Sequence, residues 1–275
     1  MAGLGPPPPR TLFLLAHPDD ETLGSSTLLA ALGPAAHVVQ VTDGAPRAMG
    51  DAEHAGCATR EGYAALRREE CAAALALVGV GPAQQHTWGV VDQEAWRDLA
   101  GLARRVAALI GELRPALVVT HPYEGGHPDH DATAFAAHAA CALLRAEGGG
   151  ADGTEPPVLV EQMSYHADPD PDAPDRLVTD SFLVTAGAPP VTTVVLDEAE
   201  RARKAAMLAA YASQARVLVH FPVAVERFRR APAYNFAHPP APTIWYERLG
   251  WGITAADVAI AARDAADALG VGLPV

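Results

Sequence analysis

An α/β fold on a mainly parallel sheet is what this 275-residue chain predicts, and three observations carry that prediction. Apolar runs of strand length alternate with longer stretches of helical periodicity, at the spacing of βαβ units. The first of those runs is continuously apolar rather than alternating, as in strands covered on both faces. Two segments rich in histidine and aspartate follow such runs closely, where parallel sheets place their ligand sites.

The elements follow in order. Residues 11–16 form a buried strand. Residues 22–32 form a helix that Gly33 and Pro34 end. Residues 36–42 form a second strand, closed by the turn residues Asp43 and Gly44. Residues 45–61 are polar and read as a long loop, of the kind that shapes a site beside strand ends. A strong helix spans 61–78 and stops near Gly79. Residues 84–88 make a short strand, 93–113 a helix with Pro115 just beyond, and 116–120 another buried strand. The helix at 131–145 runs into a linker at 147–153. Strands at 157–161 and 192–196 flank a loop at 168–175, where four aspartates and three prolines forbid regular structure. Residues 199–211 are helical, 221–247 show little periodicity, and a last helix spans 255–269 behind the cap Thr254. The expectation is a three-layer sandwich with an irregular C-terminal extension. Residues 1–10, with prolines at 6–9, are expected to be a flexible arm, and 11–275 a single domain.

Composition narrows the function. With 49% hydrophobic and 19% charged residues, the chain can bury a large core. Its net charge of -13 argues against nucleic-acid and anionic-membrane partners. No apolar run reaches the roughly 20 residues of a membrane span, so no stable membrane insertion is expected. Three cysteines, an odd number with no C-x-x-C pair, fit a reducing cytoplasm. A homo-oligomer stays open. No G-x-G-x-x-G follows the first strand and no Walker A lysine is present, which disfavours a nucleotide-binding module.

The chemistry concentrates in two clusters. His17-Pro18-Asp19-Asp20-Glu21 follows the first strand. His17 and Asp20, three apart, can converge on one metal ion as a helix begins. Asp19 is then free to act as general base, or Glu21 takes that role or orients a ligand. The three acids could instead simply cap the helix and favour its dipole, but that leaves His17 unexplained. In His127-Pro128-Asp129-His130, one histidine can complete the metal site. The other can stabilise an oxyanion or protonate a leaving group, and Asp129 can hold an imidazole in its useful tautomer. Gly125 and Gly126 permit tight turning and close substrate approach. His121, Tyr123 and Glu124 lie upstream, His121 equally explained as a structural hydrogen bond at a strand end. Cys71 and Cys141 fall in helical apolar runs and read as packing residues. His166, behind a strand, is a pocket-lining candidate. Residues 45–61 and 161–182 are candidates for specificity. The segment 234–238 is expected to cover the cleft or to bind another subunit.

Residues 16–24 (Ala-His-Pro-Asp-Asp-Glu-Thr-Leu-Gly) and 127–130 (His-Pro-Asp-His) resemble the two signatures of the PIG-L/LmbE-type zinc-dependent N-deacetylases. Thr42-Asp43-Gly44 and the 67–70 helix segment extend the similarity across most of 11–145. Lys204, residues 211–214, 226–229 and 245–247 are similar to larger bacterial members. The resemblance implies a Rossmann-like fold and hydrolysis of an acetamido group on an amino sugar or glycoconjugate. It implies one Zn2+ held by His17, Asp20 and His130, a donor set with open positions that could also hold Fe2+ or Co2+. It implies Asp19 as general base, protonated His127 facing the oxyanion, and Asp129 supporting His127. Arg67 or Arg68, with Asp43 and Gly44, would shape the substrate pocket. Tyr123 is the tyrosine nearest the second signature, where some members use one. Two other readings remain: hydrolysis of a non-sugar amide, and a non-catalytic sugar- or metal-binding descendant.

Overall fold

A computed structural model describes residues 9–146, 148, 155–170, 172–173, 175–184 and 187–272. The expected arm at 1–10 and linker at 147–153 therefore fall mostly outside the described residues.

The first strand, β1 (Thr11–Leu15), is buried along its whole length. Leu12 and Leu14 enter one core, Phe13 and Leu15 the other, as the two-residue period of a strand requires. The elements that follow are α1 (Asp20–Leu32), β2 (Ala36–Thr42), α2 (Gly50–His54), α3 (Arg60–Ala76), β3 (Gln85–Val90), α4 (Leu99–Leu113) and β4 (Leu117–Thr120). Then come α5 (Pro128–Ala146), β5 (Val158–Gln162), β6 (His166–Ala167), β7 (Leu177–Val178), β8 (Thr192–Val195), α6 (Glu198–Ala209), α7 (Ala215–Leu218), β9 (Val225–Arg230) and α8 (Ala255–Leu269). The main sheet has the order β3-β2-β1-β4-β5-β9-β8. Its first five members are parallel, and β9 and β8 run antiparallel to their neighbours. One face carries Leu29 of α1, Cys71 and Leu75 of α3 and Met207 of α6. The other carries Leu102, Val106 and Ile110 of α4, Phe135 of α5 and Ala262 of α8. The result is the expected α/β three-layer arrangement.

Several expectations need correction. α1 begins at Asp20, two residues early, because the Asp19 carbonyl already accepts from the Thr22 and Leu23 N–H groups. α5 begins at Pro128, whose missing N–H costs nothing at a helix start. His130 therefore projects from a helical first turn. The loop 45–61 contains α2. The expected helix at 93–113 is a 3-10 turn (Ala95–Asp98) and then α4, which Asp98 caps by accepting from the Gly101 N–H. The C-terminal region is less irregular than expected, since β9 lies inside the main sheet. Its sequence hides this: Glu226 and Arg229 occupy buried positions that pattern reading reserves for apolar residues. Arg229 sits opposite Glu161 in the β5–β9 register and donates to its carboxylate at 2.7 Å. It also reaches Glu124 at 3.2 Å and the Tyr234 hydroxyl at 2.9 Å.

The order β3-β2-β1-β4-β5 has a consequence for function. The chain leaving β1 turns into the α1 layer, and the chain leaving β4 turns into the α5 layer. A crevice opens between them at the carboxyl ends of the strands, and both histidine clusters sit there.

Candidate metal centre

His17 is two residues beyond β1, Asp20 opens α1, and His130 lies in the first turn of α5. His17 Nδ1 is 3.3 Å from Asp20 Oδ2 and 3.2 Å from His130 Nε2, and His130 Nε2 is 3.3 Å from Asp20 Oδ1. Ligands at zinc-like bond lengths in a tetrahedron stand about 3.3 Å apart, so this triad fits a cation without rearrangement. The ring nitrogens that face away are partnered. His17 Nε2 lies 3.1 Å from Asp92 Oδ1 and 3.4 Å from Asp129 Oδ2, and His130 Nδ1 lies 3.0 Å from the Ser164 hydroxyl. Such partners fix the tautomer and aim the lone pair inward.

A second grouping, His17, Asp92, His127 and Asp129, also comes within ligand range. It fits a cation less well, because its donors are already used. Asp129 accepts from the backbone N–H groups of Gln93 (2.6 Å) and Ala95 (2.9 Å), and His127 Nδ1 accepts from the Asp129 N–H at 3.2 Å.

Asp19 stands beside the triad at a backbone φ of 126°, a conformation L-residues rarely adopt. Its N–H donates to Glu21 Oε2 at 3.2 Å, and buried Glu21 accepts in turn from the Thr22 and Tyr211 hydroxyls. Glu21 is thus committed to holding Asp19. The Asp19 side chain accepts from Arg67 Nη2 at 3.0 Å. Burial pushes the Asp19 carboxyl up to about 8 against the pull of Arg67. Against the upward push of burial, His130 and His121 hold Asp20 well below the carboxylate range. Burial and neighbouring His121 lower His130 to about 3. Burial and the charge of His17 also hold His127 well below its ordinary value. With Nδ1 accepting, its proton sits on Nε2, 3.7 Å from Asp92 Oδ1.

The other candidates are placed as follows. The Asp129 carboxylate lies 3.9 Å from His127 Nδ1 and 3.4 Å from His17 Nε2 and accepts from the Gln93 and Ala95 N–H groups, while the Asp129 N–H donates to His127 Nδ1. Between the two arginines, Arg67 faces inward, buried, donating to the Pro18 carbonyl at 2.6 Å, whereas Arg68 is exposed and lines a separate cavity of 260 Å³. Asp43 pairs with Arg60 and borders that cavity. Gly44, at φ 62°, clears room: a Cβ there would come within 3.1 Å of the Arg67 guanidinium. Tyr123 donates to the His238 carbonyl and packs on Phe236, away from the cleft. His166 pairs in the small β6–β7 ribbon with its Nδ1 on the Ala167 carbonyl, and Tyr165 lines the cleft in its place. His121 has its structural role, accepting from the Ala16 N–H while stacking on His130 at 3.8 Å. A Cβ at Gly126 would meet the Tyr165 carbonyl oxygen at 2.0 Å, so its close approach is to backbone and not to substrate. Tyr234 and Phe236 lie in the core.

Asp92 is the site residue that sequence reasoning missed. Against the push of burial, His17 holds it well below the carboxylate range. A signal existed: Asp92 is two residues beyond the end of β3, the same strand-end position that marked His17.

Residues 12–141 match the PIG-L family, described as GlcNAc-PI de-N-acetylase. A 1D-myo-inositol 2-acetamido-2-deoxy-alpha-D-glucopyranoside deacetylase of Mycobacterium tuberculosis is 36% identical over 143 residues, 44% of this chain and 47% of the relative. This chain thus matches about half the length of that curated relative. An antimicrobial pseudoaglycone deacetylase of known structure is 28% identical, with a TM-score of 0.54 over 77% of this chain and 84% of the other. The N,N'-diacetylchitobiose deacetylase of Pyrococcus horikoshii, 16% identical with a TM-score of 0.53 over 82% and 85%, shares the fold.

Proposed function

Since the chain belongs to the PIG-L family through residues 12–141, we propose that it is a metal-dependent hydrolase that removes an N-acetyl or other N-acyl group from an amino sugar or its conjugate. The observation that carries this reading is the His17–Asp20–His130 triad with Asp19 beside it and Arg67 behind Asp19. We assign Zn2+ to the triad on its two imidazole nitrogens, one carboxylate and near-tetrahedral spacing. When bound there, the ion would polarise a water or an amide carbonyl.

The residues of the chain supply the rest. Asp19 takes the proton of the attacking water and passes it toward the leaving nitrogen. Its carboxyl, near 8 by burial, would be drawn down by a cation at the triad and so stays available as a base. Arg67 fixes the Asp19 rotamer. His127, neutral with its proton on Nε2, donates a hydrogen bond to the developing oxyanion. Asp92 and Asp129 hold His17 in the tautomer whose Nδ1 faces the triad. Three unpaired cysteines support a cytoplasmic setting, and among the described residues no helix is long and apolar enough to cross a membrane.

The test is amine release from a panel of N-acetylated sugars and glycosides, with one equivalent of zinc against a chelated control. Zinc-dependent release supports the reading. Tight stoichiometric zinc with no release from any sugar would shift it to a non-sugar amide.

A further inference from the structure

The main sheet has two edges, β3 and β8, and they are closed differently. At the first, β3 shifts register against β2 between Gln40 and Thr42, Gly89 turns at φ 71°, and Arg105 lies over the Trp88 ring at 4.3 Å. Irregular backbone and a covering charge keep such an edge from pairing further. At the second, β8 pairs with β9 without a shift from Thr192 to Val195. No charged residue stands between Gly187 and Leu196, in a chain of net charge -13. Val191 and Val195 are 46% and 71% exposed. The Leu196 N–H donates to the Ala224 carbonyl at 2.9 Å. Antiparallel ladders alternate, so Val194 and Thr192 also turn their backbone groups toward β9. Val191, Thr193 and Val195 turn theirs outward, and among the described residues no other segment hydrogen-bonds to them there.

We propose that this edge is the interface of a homodimer, in which β8 pairs antiparallel with the same strand of a second copy and the two sheets become one. The outward residues set the register. A two-fold axis normal to the sheet keeps each face, so a residue meets one an even number of positions away. An axis through Thr193 places Thr193 opposite the partner's Thr193 and Val191 opposite the partner's Val195. Every outward residue of both strands is then matched, and the exposed valines cover one another. The neighbouring registers fail. An axis at position 192 brings Pro189, which has no N–H, opposite the partner's Val195. An axis at position 194 brings in Asp197, whose N–H is already engaged with Glu200 at 2.8 Å. Self-complementarity and the absence of charge identify the occupant as this same acidic chain, since no like charges meet across the seam.

The experiment is sedimentation equilibrium of the full chain at concentrations up to about 100 µM. The wild type is expected to approach twice the 28.6 kDa of the chain. Thr193 is exposed and lies on the axis, so a substitution there meets its own copy. Thr193→Lys and Thr193→Glu each set like charges face to face and are expected to be monomeric. An equal mixture of the two is expected to restore the dimer, because opposite charges then meet. Thr193→Pro removes an outward N–H, leaves the β8–β9 ladder intact and is expected to be monomeric as well. Circular dichroism like that of the wild type shows that each variant folds. A wild type that stays monomeric throughout the range overturns the proposal. So does a dimer that survives Thr193→Lys and Thr193→Pro, which would be built on another surface, or a mixture that stays monomeric. None of these readings involves amine release, so the hydrolase reading is tested separately.

Discussion

Asp19 and Asp20 are neighbours in sequence with the same side chain, yet their surroundings drive them apart. Asp20 faces His130 and His121 and is held ionised, while Asp19 faces Arg67 from a buried, strained backbone position. Separated roles follow. Asp19→Ala is expected to retain stoichiometric zinc while losing about 10²–10⁴-fold in kcat. Metal content measured with turnover checks this, and zinc loss parallel to activity loss would refute the division of labour. A second residue-scale effect concerns stability. His138 packs against the Tyr234 and Phe236 rings, its Nε2 has no partner among the described residues, and burial lowers it to about 4. Its folded value lies below the unfolded one of about 6.5. The unfolded chain therefore binds the extra proton between those values. Stability is full above about pH 6.5 and falls as the pH drops toward about 4, by at most about 3 kcal/mol. Urea unfolding of the wild type against His138→Phe reads this as a difference that grows on acidification. A difference independent of pH would rule it out.

At the scale of elements, buried charge holds β9 in the sheet alongside the apolar packing of Phe228. Arg229 bridges Glu161 of β5, Glu124 of the β4–α5 loop and the Tyr234 hydroxyl, all buried. Nearby, Lys204 of α6 reaches Glu226 of β9 at 3.2 Å, and Glu226 accepts from Ser26 of α1 at 2.6 Å. Removing one partner leaves uncompensated buried carboxylates, so Arg229→Met is expected to cost about 3–5 kcal/mol. Adding Glu161→Leu should recover part of that loss. Denaturant midpoints of the single and double variants decide it, and a single-variant cost below about 1 kcal/mol would show the network to be dispensable. The elements explain why part of the site was hidden. Helix periodicity marked α1 and α5, and the strand-end rule placed both clusters on one rim. Asp92 follows the short strand β3, whose Gly89 and Trp88 blur the ending, and no motif points to it. Trp245 and Trp251 reach the cleft from a segment without periodicity.

For the whole molecule, the triad joins the end of β1, the start of α1 and the start of α5, so a bound cation ties together both layers of the sandwich. Zinc at a hundredfold excess over its dissociation constant adds about 2.7 kcal/mol. Chelation is therefore expected to lower Tm by roughly 5–10 °C. Scanning calorimetry with and without chelator checks this. Unchanged Tm alongside measured zinc binding would mean that the unfolded chain binds the ion equally well.

Linear order was enough for the fold class, a mainly parallel sheet and the placing of both histidine clusters on one rim of it. Those rest on local periodicity and on a topology rule that short crossovers obey. The fate of Asp43, Tyr123, Asp129 and His166, the choice of Arg67 over Arg68 and the entry of Asp92 were decided only in three dimensions. Each depends on which way a side chain turns and what a distant segment brings to meet it: Arg60 to Asp43, His238 to Tyr123, the 93–95 backbone to Asp129, Val178 to the His166 backbone. Partners so far apart along the chain leave no periodic trace in it, because packing and not local propensity selects them.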